Sequence, residues 1–399
     1  MHKPNWLKST IIFLSAQTLT LFGSSLVQYA IMWYITLTTG SGLMMTISIL
    51  CSFIPSLLIS PFAGVLADKY NKKLVIIISD STIAFATLIL AILTLSGSEN
   101  IWLMFVVQAV RSFGTGVQSP TVGALIPELV PEEKLSKVNG INGSIQSVIM
   151  LISPALAAAL LSAGSIGYLL LIDVVTAIIA NTILLAFLKY KFTKSKEPHK
   201  GVYIEMREGW RYIKKNKYLK VFFVFSAFFY FLITPGAFLT SLQTTRNFGT
   251  EVWKLSAVEI FFSSGMILGG LVVFRKIFTK HKLKTLIIST LFMSFFSVLL
   301  GLIKDFYIYL AIMGLFGISL PFFTTPATVM LQEGIDKEYL GRVFSVYSII
   351  SNSILPLSML IFGPLADVVS IDIMMVATGV LLFILTIAIR TRLINAQSV

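Results

Sequence analysis

The 399-residue chain is 56% hydrophobic and only 12% charged, about half the charged share of an ordinary soluble domain, which excludes a water-soluble globule. Its formal net charge of +13 would suit a nucleic-acid binder, but the basic residues are confined to particular loops, and nucleic acid is excluded as a partner. The single cysteine, Cys51, excludes an internal disulfide framework, and the widely separated His2, His199 and His281 exclude metal ligation at the usual spacings.

Runs of about 20 apolar residues cross the hydrocarbon core as helices; the short alternating segments of a membrane barrel are absent. Twelve spans are expected, at 10–37, 43–67, 74–95, 101–129, 138–162, 167–188, 219–244, 254–275, 283–303, 306–331, 341–365 and 371–390. The first run is too long for a signal-peptide core and lacks a small-residue cleavage site after it, so it reads as a retained span. Short connectors carry breakers, such as Thr39-Gly40-Ser41-Gly42 and Ser96-Gly97-Ser98-Glu99-Asn100.

The longest break, 189–218, is rich in lysine and arginine and reads as a cytoplasmic linker between two six-helix bundles, 1–188 and 219–399. Within it, Tyr203 to Asn216 reads as an amphipathic helix on the membrane surface, with Trp210 and Tyr212 at the interface. All but four of the 31 basic residues fall on one side of this topology. Arg246, Lys254 and Lys304 lie in outer loops, and Arg111 lies inside the fourth span. That asymmetry places both termini in the cytoplasm and matches the positive charge to an anionic inner leaflet. The expectation is an all-α, polytopic protein of the cell membrane, a monomer with twelve transmembrane helices in two pseudo-symmetric bundles.

An internal echo accompanies the two halves. Pro131-Glu132-Glu133-Lys134-Leu135-Ser136-Lys137-Val138 opens the fifth span, and Asp336-Lys337-Glu338-Tyr339-Leu340-Gly341-Arg342-Val343 opens the eleventh. Ser119-Pro120 and Thr325-Pro326 stand just upstream of each. Parallel halves are typical of carriers that rock around a midplane site.

The loop after span two, Gly64-Val65-Leu66-Ala67-Asp68-Lys69-Tyr70-Asn71-Lys72-Lys73, is the first candidate for function. Gly64 permits close helix approach. Asp68 suits the free N–H groups of a neighbouring helix start, and Lys72 and Lys73 can reach an acid at the same level, for which Glu128 is the candidate. Such a cluster reads equally as a gate latch or as a plain basic membrane-edge loop. The loop resembles the signature loop of the major facilitator superfamily, with Lys69 and Lys72 where arginine is commoner. Arg111-Ser112-Phe113-Gly114-Thr115-Gly116 resembles the arginine motif of the same superfamily. The fifth span departs from the drug-antiporter pattern, a glycine ladder closing in Gly-Pro. Here Asn139-Gly140-Ile141-Asn142-Gly143 is followed by Ser153-Pro154.

A closer resemblance is to the macrolide-efflux, Mef-type branch of Gram-positive bacteria. Leu129-Val130-Pro131-Glu132-Glu133-Lys134-Leu135, Ser153-Pro154-Ala155, Ile172-Asp173-Val174 and Tyr339-Leu340-Gly341-Arg342-Val343-Phe344-Ser345 carry it, together with the Arg111 segment. The resemblance implies the major facilitator fold and drug export; its motifs are weak for the substrate.

Four charges lie away from the ends of spans: Arg111, Asp80, Asp173 and Glu259. Arg111 is about 13 Å from the outer end of span four at helical rise, where a cation is usually paired or lines a wet cavity. Any of the acids can hold a proton whose release depends on the open side, and a fixed structural pair is an equal alternative for Asp80 and Asp173. Arg111 with Asp173 is the preferred pair, since spans four and six share a half.

On span one, Gln17, Leu21, Ser24, Ser25 and Gln28 make one helical face. The superfamily resemblance makes the first helix of each half a cavity wall. Gln17, Ser24 and Gln28 are the candidate polar lining, and Phe225 and Phe229 of the aromatic seventh span the candidate apolar lining; Pro235-Gly236 reads as a break in that span. Such a cavity suits an amphipathic, drug-like molecule.

No G-x-x-x-x-G-K-[ST] loop, hydrolytic triad or cofactor motif is present, so neither enzyme activity nor a cofactor is expected, and an ion gradient, with protons as coupling ion, is the expected energy source. The leading reading is secondary active export of hydrophobic or amphipathic small molecules by proton antiport with alternating access. The alternative is export of a native metabolite, lipid or siderophore, or solute uptake. A channel would usually be an oligomer with repeated pore motifs, which a pseudo-two-fold chain does not need.

Overall fold

The computed structural model describes residues 6–98, 100–190, 202–273, 281–336 and 338–397, the side chains of Pro61, Gly64, Val65, Asp68, 202–206 and 391–397 excepted. The described residues form helices and short connectors, with no strand among them. In chain order the helices are α1 (Trp6–Thr39), α2 (Gly42–Lys69), α3 (Lys72–Leu95), α4 (Ile101–Leu129), α5 (Glu132–Ala163), α6 (Ile166–Phe187), α7 (Val202–Lys215), α8 (Lys217–Leu232), α9 (Thr240–Phe248), α10 (Val252–Val273), α11 (Lys282–Leu302), α12 (Phe306–Gly334), α13 (Leu340–Ala366) and α14 (Ile371–Gln397).

Among the described residues, eleven helical stretches are long and apolar enough to cross a bilayer. The expected fourth span, α4, has the length at 29 residues but is not one of the eleven; Gln108, Arg111 and Gln118 dilute its apolar character. Helices satisfy their own backbone groups, the condition for crossing lipid, and their ends are closed locally. Asn71, Asn100 and Ser165 accept backbone N–H groups at the starts of α3, α4 and α6, and Asn216 and Asp305 do so for α8 and α12.

The seventh span breaks where the sequence places Pro235-Gly236. Between α8 and α9, Pro235–Leu239 form a π-helical turn. Proline lacks an N–H and crowds the preceding carbonyl, so the regular ladder is interrupted there.

The chain divides into two compact units, residues 1–38 with 47–197 and residues 39–46 with 198–399. In the N-terminal unit α3 is central, packing on both α4 and α6. In the C-terminal unit α10 packs on α12, and α11 on α12 and α14. Gly265 makes the α10–α12 approach possible, for a Cβ there would lie 2.1 Å from the Gly314 carbonyl oxygen.

Residues 39–46 join the C-terminal unit through Asp367, which follows α13. Its carboxylate accepts the Gly42 and Leu43 N–H groups at 2.6 and 2.9 Å and the Ser41 hydroxyl at 2.9 Å, and Arg246 lies 3.1 Å away. Burial alone would raise the Asp367 carboxyl, but those donors outweigh it and hold the group below the usual carboxylate range.

The amphipathic helix of the linker forms as α7. Trp210 is exposed, and Tyr212, also expected at the membrane interface, is half-buried. It stacks on Tyr339 at 4.6 Å and donates to Asp336 at 3.0 Å. Arg342, at the start of α13, pairs with Glu208 of α7 at 3.1 Å, so α7 is held to the C-terminal unit by an aromatic stack and an ion pair.

Candidate functional site

The face of α1 defined by Gln17, Leu21, Ser24, Ser25 and Gln28 lines a cleft of about 640 Å³ within the N-terminal unit. Ser52 and Ser56 of α2 and Gln108, Arg111 and Gln118 of α4 add further polar wall. A fourth wall comes from Asn139, Asn142 and Gln146 of α5, which the sequence reading leaves out of the lining. Their spacing of three and four residues, which puts three amides on one helical face, is the signal that marks them. The lining is dominated by amides and hydroxyls, groups that both donate and accept hydrogen bonds.

Arg111 lies at the edge of this cleft and reaches behind it. Its guanidinium pairs with the Asp173 carboxylate of α6 and the Thr87 hydroxyl of α3. Thr87 lies 3.3 Å from Asp173, and the Ser24 hydroxyl donates to Asp173 at 3.2 Å. Four helices thus converge on one ion pair. Arg111 is 8% and Asp173 1% exposed, so each charge depends on the other where little water reaches. Gly23 lets α1 come close enough: a Cβ there would lie 2.2 Å from Thr176 Oγ1 and 2.9 Å from Asp173 Cα.

Asp80 on α3 is wholly buried and its surroundings differ. Gln118 donates its amide N–H to one carboxyl oxygen, and the other oxygen has no hydrogen-bond partner. Among the described residues no cation pairs with it. The Gln118 amide is therefore a direct link between the cleft wall and this acid. Glu259 belongs to α10 of the C-terminal unit, where it is half-buried.

Of the loop residues, the side chains of Gly64 and Asp68 lie outside the described residues. Lys69 ends α2 and is exposed. Lys72 is buried and pairs with Glu128 at 2.8 Å, and the Tyr190 hydroxyl donates to the same carboxylate. Burial, and then the bond to Glu128, raise the Tyr190 phenol above its ordinary value. Lys73 does not join that acid. It donates instead to the Leu185 and Leu188 carbonyls at 3.3 and 2.8 Å. The reason is local: the closing carbonyls of α6 lack helical partners and attract a cation.

Phe225 and Phe229, expected on an open cavity wall, have no exposed surface. Phe229 stacks on Phe323 of α12 with ring centroids 3.6 Å apart, and Phe225 lies 6.2 Å from the same ring. Both belong to the C-terminal core, because offset and tilted aromatic packing is available to them there.

Comparison with known proteins agrees with this architecture. The chain is 31% identical over 396 residues to Macrolide efflux protein A of Streptococcus pyogenes, covering 98% of this chain and 97% of the relative. It is 32% identical over 325 residues to Macrolide efflux protein A of Enterococcus faecalis, covering 80% of this chain and all of the relative. Among solved structures, the nucleoside transporter NupG superposes with a TM-score of 0.69 over 97% of this chain and 98% of its own, at 14% identity, a likeness of fold. The family model of the Major Facilitator Superfamily matches residues 13–359, and with its long apolar helices and a polar cleft built on α1 the chain belongs to that superfamily of membrane transporters.

Proposed function

We propose that this protein exports small amphipathic compounds, macrolides among them, by proton antiport with alternating access. The observation that carries the reading is the cleft of the N-terminal unit, an amide- and hydroxyl-rich wall backed by two buried acids, Asp173 and Asp80. A large oxygen-rich lactone offers carbonyls and hydroxyls to such a wall. The acids behind it supply protonatable groups away from bulk water. The relatives named Macrolide efflux protein A support the substrate class.

In this reading the basic loops face the cytoplasm of a bacterial cell, against an anionic leaflet, and the protein works as a monomer. Lys72 with Glu128, together with Gly64, Asp68, Lys69 and Lys73, forms the gate at that face. Arg111, Asp173, Asp80 and Glu259 form the charge network.

The test is expression in a bacterium lacking its own drug pumps, with macrolide susceptibility and accumulation measured with and without an uncoupler. Lower accumulation that returns to control on uncoupling is expected. Efflux that persists under the uncoupler removes proton coupling. Unchanged macrolide accumulation removes that substrate class and leaves export of a native metabolite, lipid or siderophore, or solute uptake. Labelled candidates in membranes of both orientations separate those.

A further inference from the structure

We infer that Gln118 is a positioning residue that makes occupancy of the cleft and protonation of Asp80 depend on one another; the inference rests on the antiport reading. An ionised carboxylate only accepts hydrogen bonds, so Gln118 must turn its amide N–H toward Asp80, as it does here. Its carbonyl oxygen, turned away from Asp80, is then available to the cleft, whose wall Gln118 shares with Gln17, Arg111 and Asn142. When Asp80 takes up a proton it becomes a donor, and its best partner is that same carbonyl. Turning the amide over satisfies the new donor and presents the N–H groups to the cleft.

One proton on Asp80 thus changes the cleft face of Gln118 from acceptor to donor. A substrate group that only donates, such as a protonated amine, suits the first state and is mismatched to the second. Proton and substrate therefore exclude one another through a side chain that touches both, which is what antiport requires. The proton is exchanged with water and comes to rest on the Asp80 carboxyl oxygen that faces Gln118, and no other bond forms or breaks.

The charged groups facing Asp80 leave this switch to Gln118. α3 packs on α4 and α6, and their buried charges, Arg111 and Asp173, are paired with one another. At the start of α3, Lys72 is held by Glu128 and Lys73 by carbonyls of and just after α6.

The test measures binding of labelled erythromycin to the purified, detergent-solubilised protein as a function of pH. Wild-type affinity is expected to fall as pH drops through the titration of Asp80, by up to about tenfold per pH unit. Gln118→Met, which keeps length and bulk, and Asp80→Asn are both expected to bind without that slope. A wild-type slope retained in Gln118→Met overturns the inference. A slope retained in Asp80→Asn removes Asp80 as the acid and overturns it too. Flat wild-type binding beside uncoupler-sensitive efflux overturns it while leaving antiport standing; efflux insensitive to the uncoupler removes antiport itself.

Discussion

The two units fill their interiors with opposite chemistry. In the N-terminal unit, four helices close around Arg111 and Asp173, a second acid is buried beside them, and the wall in front is amide and hydroxyl. In the C-terminal unit, the interior is aromatic, with Phe222, Phe225, Phe229 and Phe323 at or near zero exposure. Its polar network gathers instead at the start of α14. There Gln243 and Asn247 donate to Asp372 at 2.8 and 2.7 Å, and Tyr309 donates to Gln243 at 2.9 Å. The contrast teaches where each unit is vulnerable. Buried charge fails when one partner is removed, and aromatic packing fails when volume is removed.

The sharpest way to break the comparison is Arg111→Ala. It leaves Asp173 without its cation, an arrangement that costs about 3–5 kcal/mol in buried pairs, and transport is expected to be lost. The double replacement Arg111→Met with Asp173→Leu should recover thermal stability in detergent without recovering efflux. Recovery of efflux by the apolar pair would make the charges structural only.

Next in size is Phe229→Ala in the other unit, expected to cost about 3 kcal/mol, the low end for deleting a buried phenylalanine. Lipid tails replace water as the competing environment, which weakens the transfer part of that cost. A variant with wild-type stability but altered drug preference would return Phe229 to a cavity wall.

Gly23→Ala places a methyl against Thr176 and Asp173 and is expected to cost about 1–3 kcal/mol by overpacking. Efflux should fall with it, since α1 carries both Ser24 and the cleft face. Full efflux in this variant would show that the contact is slack.

Asp367→Asn is the smallest change. It weakens the cap on α2 by about 1 kcal/mol. The folded Asp367 titrates below its ordinary 3.8, so its stabilisation is complete above that value and fades as pH falls through the folded one. The stability difference between wild type and Asp367→Asn should therefore be flat near neutrality and close only in strong acid. A difference that vanishes near neutral pH would contradict the cap.

Much of the site is legible in the sequence because lipid makes polarity conspicuous. Spacing alone places Gln17, Ser24 and Gln28 on one face of α1, and Arg111 and Asp173 pair because neither is tolerable alone in hydrocarbon. Lys73 escapes such reasoning because its nearest acceptors are the closing backbone carbonyls of α6, which no side-chain pattern announces. Phe225 and Phe229 escape it because aromatics repeat around α8, and periodicity cannot separate a cavity wall from a core. Gln118 escapes it because an amide two turns from Arg111 has no distinction until Asp80 is seen beside it.

The sequence by itself determined the helices, the approximate ends of the spans, the break at Pro235 and the superfamily. Each follows from local composition, the length needed to cross a bilayer, or a short motif. Only the tertiary structure decided which polar groups meet. Asp80 lies 38 positions from Gln118 in the chain, and their contact depends on how α3 packs on α4, which is set by side-chain fit between helices and leaves no periodic trace in either one.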